Sequence, residues 1–212
     1  MRKQTEDVFY KYKKKYSFIN QIEKEILLVY ELLDKTFSKH NKVLVCGNGG
    51  SSADADHIAG ELLKGFVKKR PLMNKLDFSS FGLEGEKLAE KLQEALPVIN
   101  LSAHTSLITA VINDIGGDEI YAQQVVAYGQ VNDVLLGIST SGNSKNIINA
   151  AIVAKIKGMY TIGLTGVDGG RMNQIFDYLI HVPASITSDI QDMHSAVYHC
   201  LCEMLEVERW DY

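Results

Sequence analysis

No stretch of this 212-residue sequence reaches the about eighteen apolar residues that a membrane-spanning helix needs. The opening residues, MRKQTEDVFYKYKKKY, lack the apolar segment of a secretory signal. A cytoplasmic protein without a membrane partner is therefore expected. Cysteine is scarce and odd in number: Cys46, Cys200 and Cys202 read as free thiols packed in the core, in a reducing compartment, rather than as disulfide staples. Positive charge is in deficit, with 22 Lys and Arg against 26 Asp and Glu and a formal net charge of -4. That balance argues against a nucleic-acid partner. The two short basic runs, KYKKKY at 11–16 and KKR at 68–70, read as solvated surface. A G-x-G-x-x-G fingerprint and a GK[ST] phosphate loop are both missing, which leaves nucleotide binding a minor alternative. With 46% hydrophobic and 23% charged residues, the chain is neither disordered nor collagen-like, and its length favours one domain, residues 1–212.

What is present is an alternation. Apolar, β-branched runs occur at 42–46 (KVLVC), 98–102 (VINLS), 133–139 (DVLLGIS), 159–165 (MYTIGLT) and 177–183 (DYLIHVP). Helical patterns separate them, such as 145–157, and the chain closes with a helical face over 189–208. Strands alternating with helices predict right-handed crossovers and a buried parallel sheet. The expected fold is an α/β three-layer sandwich, flavodoxin-like, around five parallel strands. Outside the alternation, apolar residues at a three-and-four spacing predict a long amphipathic helix over about 17–39. Residues 72–96 read as an insertion of loop followed by a weak helix.

Two strand ends carry unusual loops. GNGGSS, 47–52, offers a bare backbone at a helix start, where unpaired N–H groups and the positive dipole end suit an anion. STSGNS, 139–144, sets four hydroxyls at another helix N-terminus. Turn formation and capping explain one such loop well enough; two at equivalent strand ends point to a phosphorylated small molecule. Downstream of the first loop, His57 and Glu61 stand four residues apart, on one face of a helix and close enough to share a metal ion.

These loops, with CGNGGSSADADHIAGEL, the pair Asn113 and Asp114, LLGISTSGNS, IGLTGVDGG and IQDMHSAVYH, resemble the sugar isomerase (SIS) domain family, nearest to its phosphoheptose isomerase branch. The resemblance spans about residues 43–205. It implies an aldose–ketose isomerase acting on sedoheptulose 7-phosphate or a related sugar phosphate. Its rivals are a non-catalytic phosphosugar-binding or replication-initiator-associating SIS protein and an isomerase of another phosphosugar. Carried over by position, Asn48, Gly49, Gly50 and Ser51 contact the sugar phosphate, Ser139, Thr140, Ser141 and Ser144 hold the phosphate, and Asn113 with Asp114 touches the sugar. Gln191 and Glu61 also face substrate. The resemblance places a zinc ion, or another divalent metal, on His57, Glu61, Gln191 and His199, makes Glu61 and His199 the proton-transfer pair, and implies a homotetramer with shared active sites. The chain departs from the family pattern at Gly65, where close relatives often carry arginine, at His104, commonly aspartate, and in the 72–96 insertion.

Moving a carbonyl between C2 and C1 requires a base for the carbon-bound proton, here Glu61, and a relay to the oxygens, here His199 rather than the neighbouring His194. Gln191 and His199 pose a geometric question. Eight residues of continuous helix rise about 12 Å, so either the backbone over 188–192 is not helical or the ligands come from different subunits.

Overall fold

The computed structural model describes residues 1–72 and 77–210. Five strands, β1 (Val43–Gly47), β2 (Val98–Asn100), β3 (Val134–Ile138), β4 (Tyr160–Thr165) and β5 (Tyr178–His181), form one parallel sheet in the order β2-β1-β3-β4-β5. Each falls on one of the apolar runs, β1 extending one residue past its run to include Gly47. Side chains alternate across a pleated strand, so each run feeds two cores. Val43, Val45, Val134, Leu136, Ile162 and Leu164 face one helical layer. Leu44, Cys46 and Leu135 face the other.

The first layer is built from α1 (Lys3–Lys15), α2 (Glu23–Ser38), α3 (Gly50–Leu63) and α9 (Thr187–Arg209). The second holds α5 (Thr105–Asp114), α6 (Ile120–Tyr128), α7 (Lys145–Ile156) and the short α8 (Met172–Ile175). The chain is thus an α/β sandwich with both sheet faces covered. All three cysteines are buried thiols. Among the described residues no helix is long and apolar enough to cross a membrane.

Two expectations need correction. The helix expected over 17–39 is broken: residues Ser17–Gln21 form a 3-10 turn, and α2 starts only at Glu23. Asn20 Nδ2 donates to Ser17 O at 2.9 Å, a local side-chain bond that competes with helix continuation. The residues before it form α1, whose Val8, Phe9 and Tyr12 are buried. The basic run at 11–16 is therefore part of a packed helix, with Lys11 paired to Glu203 and Lys13 to Glu23.

The second correction concerns 68–70. Arg70 is fully buried, not solvated. Its Nε donates to Glu206 Oε1 at 2.8 Å, and its Nη1 and Nη2 donate to Leu62 O and Glu61 O at 2.7 and 2.9 Å. Glu206 also accepts the backbone N–H groups of Phe66, Val67 and Lys68. A buried charge is tolerated when paired and hydrogen-bonded to this extent. In the expected insertion, residues 73–76 lie outside the described residues; its later part forms α4 (Gly82–Lys91), and Pro71 bridges to Gln93.

Candidate active site

Strand order reverses between β1 and β3, the place where open α/β sheets bind ligands beyond the carboxyl ends of their strands. Gly47 and Ile138 are direct register partners there. The loops 47–52 and 139–144 consequently leave the sheet side by side. The first loop is tied to the helix that follows the second: the carboxamides of Asn48 and Asn146 exchange two hydrogen bonds of 2.9 Å. Asn48, Gly49 and Gly50 are exposed, while Ser51 is buried. Tyr121 donates its hydroxyl to Gly47 O beneath the first loop.

In the second loop Ser139 is buried and its Oγ lies 3.0 Å from Ser144 Oγ. Gly142 turns with φ +64, and a Cβ there would stand 2.0 Å from Gly169 O, so only glycine lets this loop close on the loop that follows β4. Thr140 O accepts the Gly166 N–H, and Gly142 O accepts that of Met172. A cavity of about 210 Å³ opens beside Thr140, Ser141, Asn143, Val167 and Ile190. The larger cavity, about 510 Å³ between Phe37, His40, Leu96 and Trp210, holds none of the expected site residues.

From Gly50, α3 carries the chain past His57 to Glu61. Eleven residues rise about 16 Å, so Glu61 stands three turns from the first loop. Helix α9 runs alongside in the same direction, Gln191 meeting Gly50 and Tyr198 with His199 meeting His57. His57 Nε2 lies 3.2 Å from Glu61 Oε1 and 3.3 Å from His199 Nε2. The second Glu61 oxygen is buried and has no hydrogen-bond partner among the described residues. Phe66 stacks on the His199 ring, with centroids 5.6 Å apart and planes 15° apart. Burial, helped by the His57 charge, lowers the His199 pKa and favours its neutral form. His194, the competitor, is fully buried, and burial lowers its pKa to about 4.

The residues expected to bind one metal ion do not all meet. Helix α9 is continuous from Thr187, so Gln191 stays about 12 Å of helix rise from His199 and reaches the loop end instead. Among the described residues, no three His, Cys, Asp or Glu side chains stand in a metal-holding arrangement. Asn113 and Asp114 are exposed, and Asn113 Nδ2 bonds Asp114 Oδ1 at 2.7 Å; neither is hydrogen-bonded to the two loops. His57, Glu61 and His199 do converge. Sequence reasoning missed Asn146, Tyr121, Arg70 and Glu206 because each acts through a long-range contact. Only Asn146, two residues after STSGNS, had a local cue.

Comparisons with known proteins identify the family. Residues 87–166 match the SIS domain model. The chain is 41% identical over 175 residues to the phosphoheptose isomerase of Helicobacter pylori, covering 82% of this chain and 79% of that protein. It is 44% identical over 165 residues to that of Rhodospirillum rubrum, covering 78% and 76%. The solved phosphoheptose isomerase of Neisseria gonorrhoeae superposes with a TM-score of 0.71 at 34% identity, covering 93% of each chain. That of Francisella tularensis gives 0.74 at 32% identity, covering 90% of each. At such identity and coverage, with the same fold, this chain belongs to the phosphoheptose isomerase family of SIS-domain proteins.

Proposed function

We propose that this protein is an aldose–ketose isomerase that converts sedoheptulose 7-phosphate into glycero-manno-heptose 7-phosphate through a cis-enediol. The observation that carries the chemistry is Glu61: a carboxylate with one buried, unpartnered oxygen, flanked by the imidazoles of His57 and His199. A base free of hydrogen-bond donors keeps its lone pair for the substrate. Glu61 takes a proton from C1 of the ketose while O2 gains one, giving the enediol. Loss of the O1 proton and protonation of C2 then complete the aldose. His199, held neutral by burial, shuttles protons between O1 and O2.

Substrate is gripped at the other end. Ser139, Thr140, Ser141 and Ser144 surround the phosphate at the α7 N-terminus, where hydroxyls and backbone N–H groups favour an anion. Asn48, Gly49, Gly50 and Ser51 supply the facing wall, and the Gln191 carboxamide sits over Gly50 to touch the sugar.

The donor chemistry of His57, Glu61 and His199, two imidazoles and a carboxylate, suits zinc, with other divalent metals also accommodated. Within one chain, however, those three side chains converge without forming a metal-holding arrangement, and no step of the isomerisation is routed through an ion. Gln191 of the same chain stands apart from that set. A homotetramer with shared active sites accounts for this: a neighbouring copy brings its own Gln191 and its Asn113–Asp114 pair to complete each site.

The test follows aldose formation from sedoheptulose 7-phosphate, with and without chelator, for the wild type and Glu61→Gln. Turnover that disappears in the variant supports the isomerase. Tight binding of the sugar phosphate without turnover would replace it with a binding protein. Light scattering checks the tetramer, and a monomeric active enzyme would remove it.

A further inference from the structure

We propose that Phe66 is a positioning residue for His199: the irregular segment 64–70 is tied down by the buried Arg70–Glu206 pair so that the Phe66 ring lies against the imidazole and fixes its plane. The inference deepens the isomerase reading of this site and rests on it for its effect on turnover.

Residues 64–70 are neither helix nor strand, yet their backbone is held by side-chain acceptors. The N–H groups of Phe66, Val67 and Lys68 donate to the Glu206 carboxylate at 2.8, 2.8 and 3.0 Å. Those of Gly65 and Arg70 both donate to Gln93 Oε1 at 3.1 Å. Arg70 Nε completes the surroundings of Glu206, and the guanidinium carbon lies 4.6 Å from the centroid of the Trp210 ring. Gly65 lets the turn close: a Cβ there would stand 2.1 Å from Lys68 O. The departure from the family pattern at this position thereby has a local reason.

Helix α9 carries both ends of this arrangement. His199 and Glu206 stand about two turns apart on one face of it, so Glu206 anchors the segment while His199 receives its ring. The two rings, with centroids 5.6 Å apart and planes 15° apart, have the geometry of an offset aromatic stack. Hydrogen bonds hold the imidazole less firmly. Its polar contacts, Nε2 to His57 Nε2 at 3.3 Å and Nδ1 to Ser195 Oγ at 3.4 Å, are both longer than the usual about 2.9–3.0 Å. Core packing alone does not account for the segment, because Phe66 is only partly buried at the edge of the first-layer core. A rim contact of that kind does not call for a buried carboxylate and guanidinium to fix the backbone on either side of it. A proton relay does, since a small misplacement of a group that must face the substrate oxygens lowers the rate steeply.

The experiment measures kcat and KM for sedoheptulose 7-phosphate in Phe66→Leu and Phe66→Tyr, alone and in a His199→Gln background. Phe66→Leu keeps an apolar side chain and loses the ring, so kcat should fall about 10–100-fold with little change in KM. Phe66→Tyr keeps the ring and should retain wild-type values. In the His199→Gln background Phe66→Leu should cost nothing further, because a residue that acts through the imidazole has no effect once the imidazole is gone. The His199 ring protons, identified by their loss in His199→Gln, give a readout apart from turnover. A phenyl face against them shifts their resonances upfield, and both Phe66→Leu and Gly65→Ala, whose Cβ displaces the turn, should remove that shift. An unchanged kcat in Phe66→Leu, an equal loss in Phe66→Tyr, a loss that multiplies in the His199→Gln background, or ring protons unmoved in both variants each overturns the proposal. A wild type that isomerises no sugar phosphate refutes the isomerase reading and with it the effect on turnover, while the upfield shift still decides whether Phe66 holds the ring.

Discussion

The Gln191 carboxamide occupies the space that a side chain on Gly50 would need: a Cβ there would stand 2.5 Å from Gln191 Nε2. The first turn of α3 and the first turns of α9 are thereby joined at the mouth of the β1–β3 crevice. Gly50→Ala should displace Gln191 without unfolding the chain, since alanine is the better helix residue by about 1 kcal/mol. We expect an unchanged or higher melting temperature with kcat/KM lowered about tenfold, the effect of losing one substrate contact of about 1.4 kcal/mol. Wild-type kinetics in this variant would detach Gln191 from the substrate.

Glu61→Gln keeps the shape of the side chain and removes the base. Loss of a positioned general base costs about 10²–10⁴-fold in kcat, while sugar-phosphate affinity, set by the two loops, should persist. Exchange of the substrate's carbon-bound proton with deuterated solvent gives an independent readout. Exchange that continues at the wild-type rate in this variant would move the base elsewhere.

Arg70 and Glu206 are both fully buried and bonded to each other. Removing one partner strands the other charge, at about 3–5 kcal/mol. Arg70→Ala should therefore lower the melting temperature by roughly 10 °C in a chain of this size. Because Arg70 also holds the carbonyls of Glu61 and Leu62, kcat should fall as well, at temperatures where the variant is still folded. A melting shift of only a degree or two would show that the pair contributes nothing net.

His194 makes stability depend on pH. Burial lowers its pKa to about 4 from the ordinary 6.5, so between those values the unfolded chain takes up a proton that the folded chain refuses. The contribution is complete above about pH 6.5 and is lost as pH falls towards about 4, at up to about 1.4 kcal/mol per pH unit. Urea unfolding between those pH values should show the slope, and His194→Phe should flatten it. An equally steep variant would assign the slope to other groups.

The strands were legible because a fully buried parallel strand is a short continuous apolar run, and all five runs became strands. The two loops were legible because glycines and hydroxyls recur at two equivalent strand ends, where turn formation and capping would explain only one of them. His57 and Glu61 followed from helical spacing. Residues 17–39 misled because apolar periodicity continues through the 3-10 turn at Ser17–Gln21, where Asn20 bonds locally to Ser17 O, and periodicity does not register such a bond. Arg70 misled because a basic triplet says nothing about a carboxylate 136 residues away.

By itself the sequence determined the element types, their order, and which residues have the chemistry of a phosphate grip and a proton-transfer pair, since these depend on near neighbours along the chain. Only the tertiary structure decided that β1 lies against β3, so that two distant loops share one crevice, and that α3 and α9 run parallel, so that His199 meets His57 while Gln191 stays at the loop end. The physical reason is that strand order and helix register are set by burying both faces of the sheet at once, a condition on the whole chain that no local stretch contains.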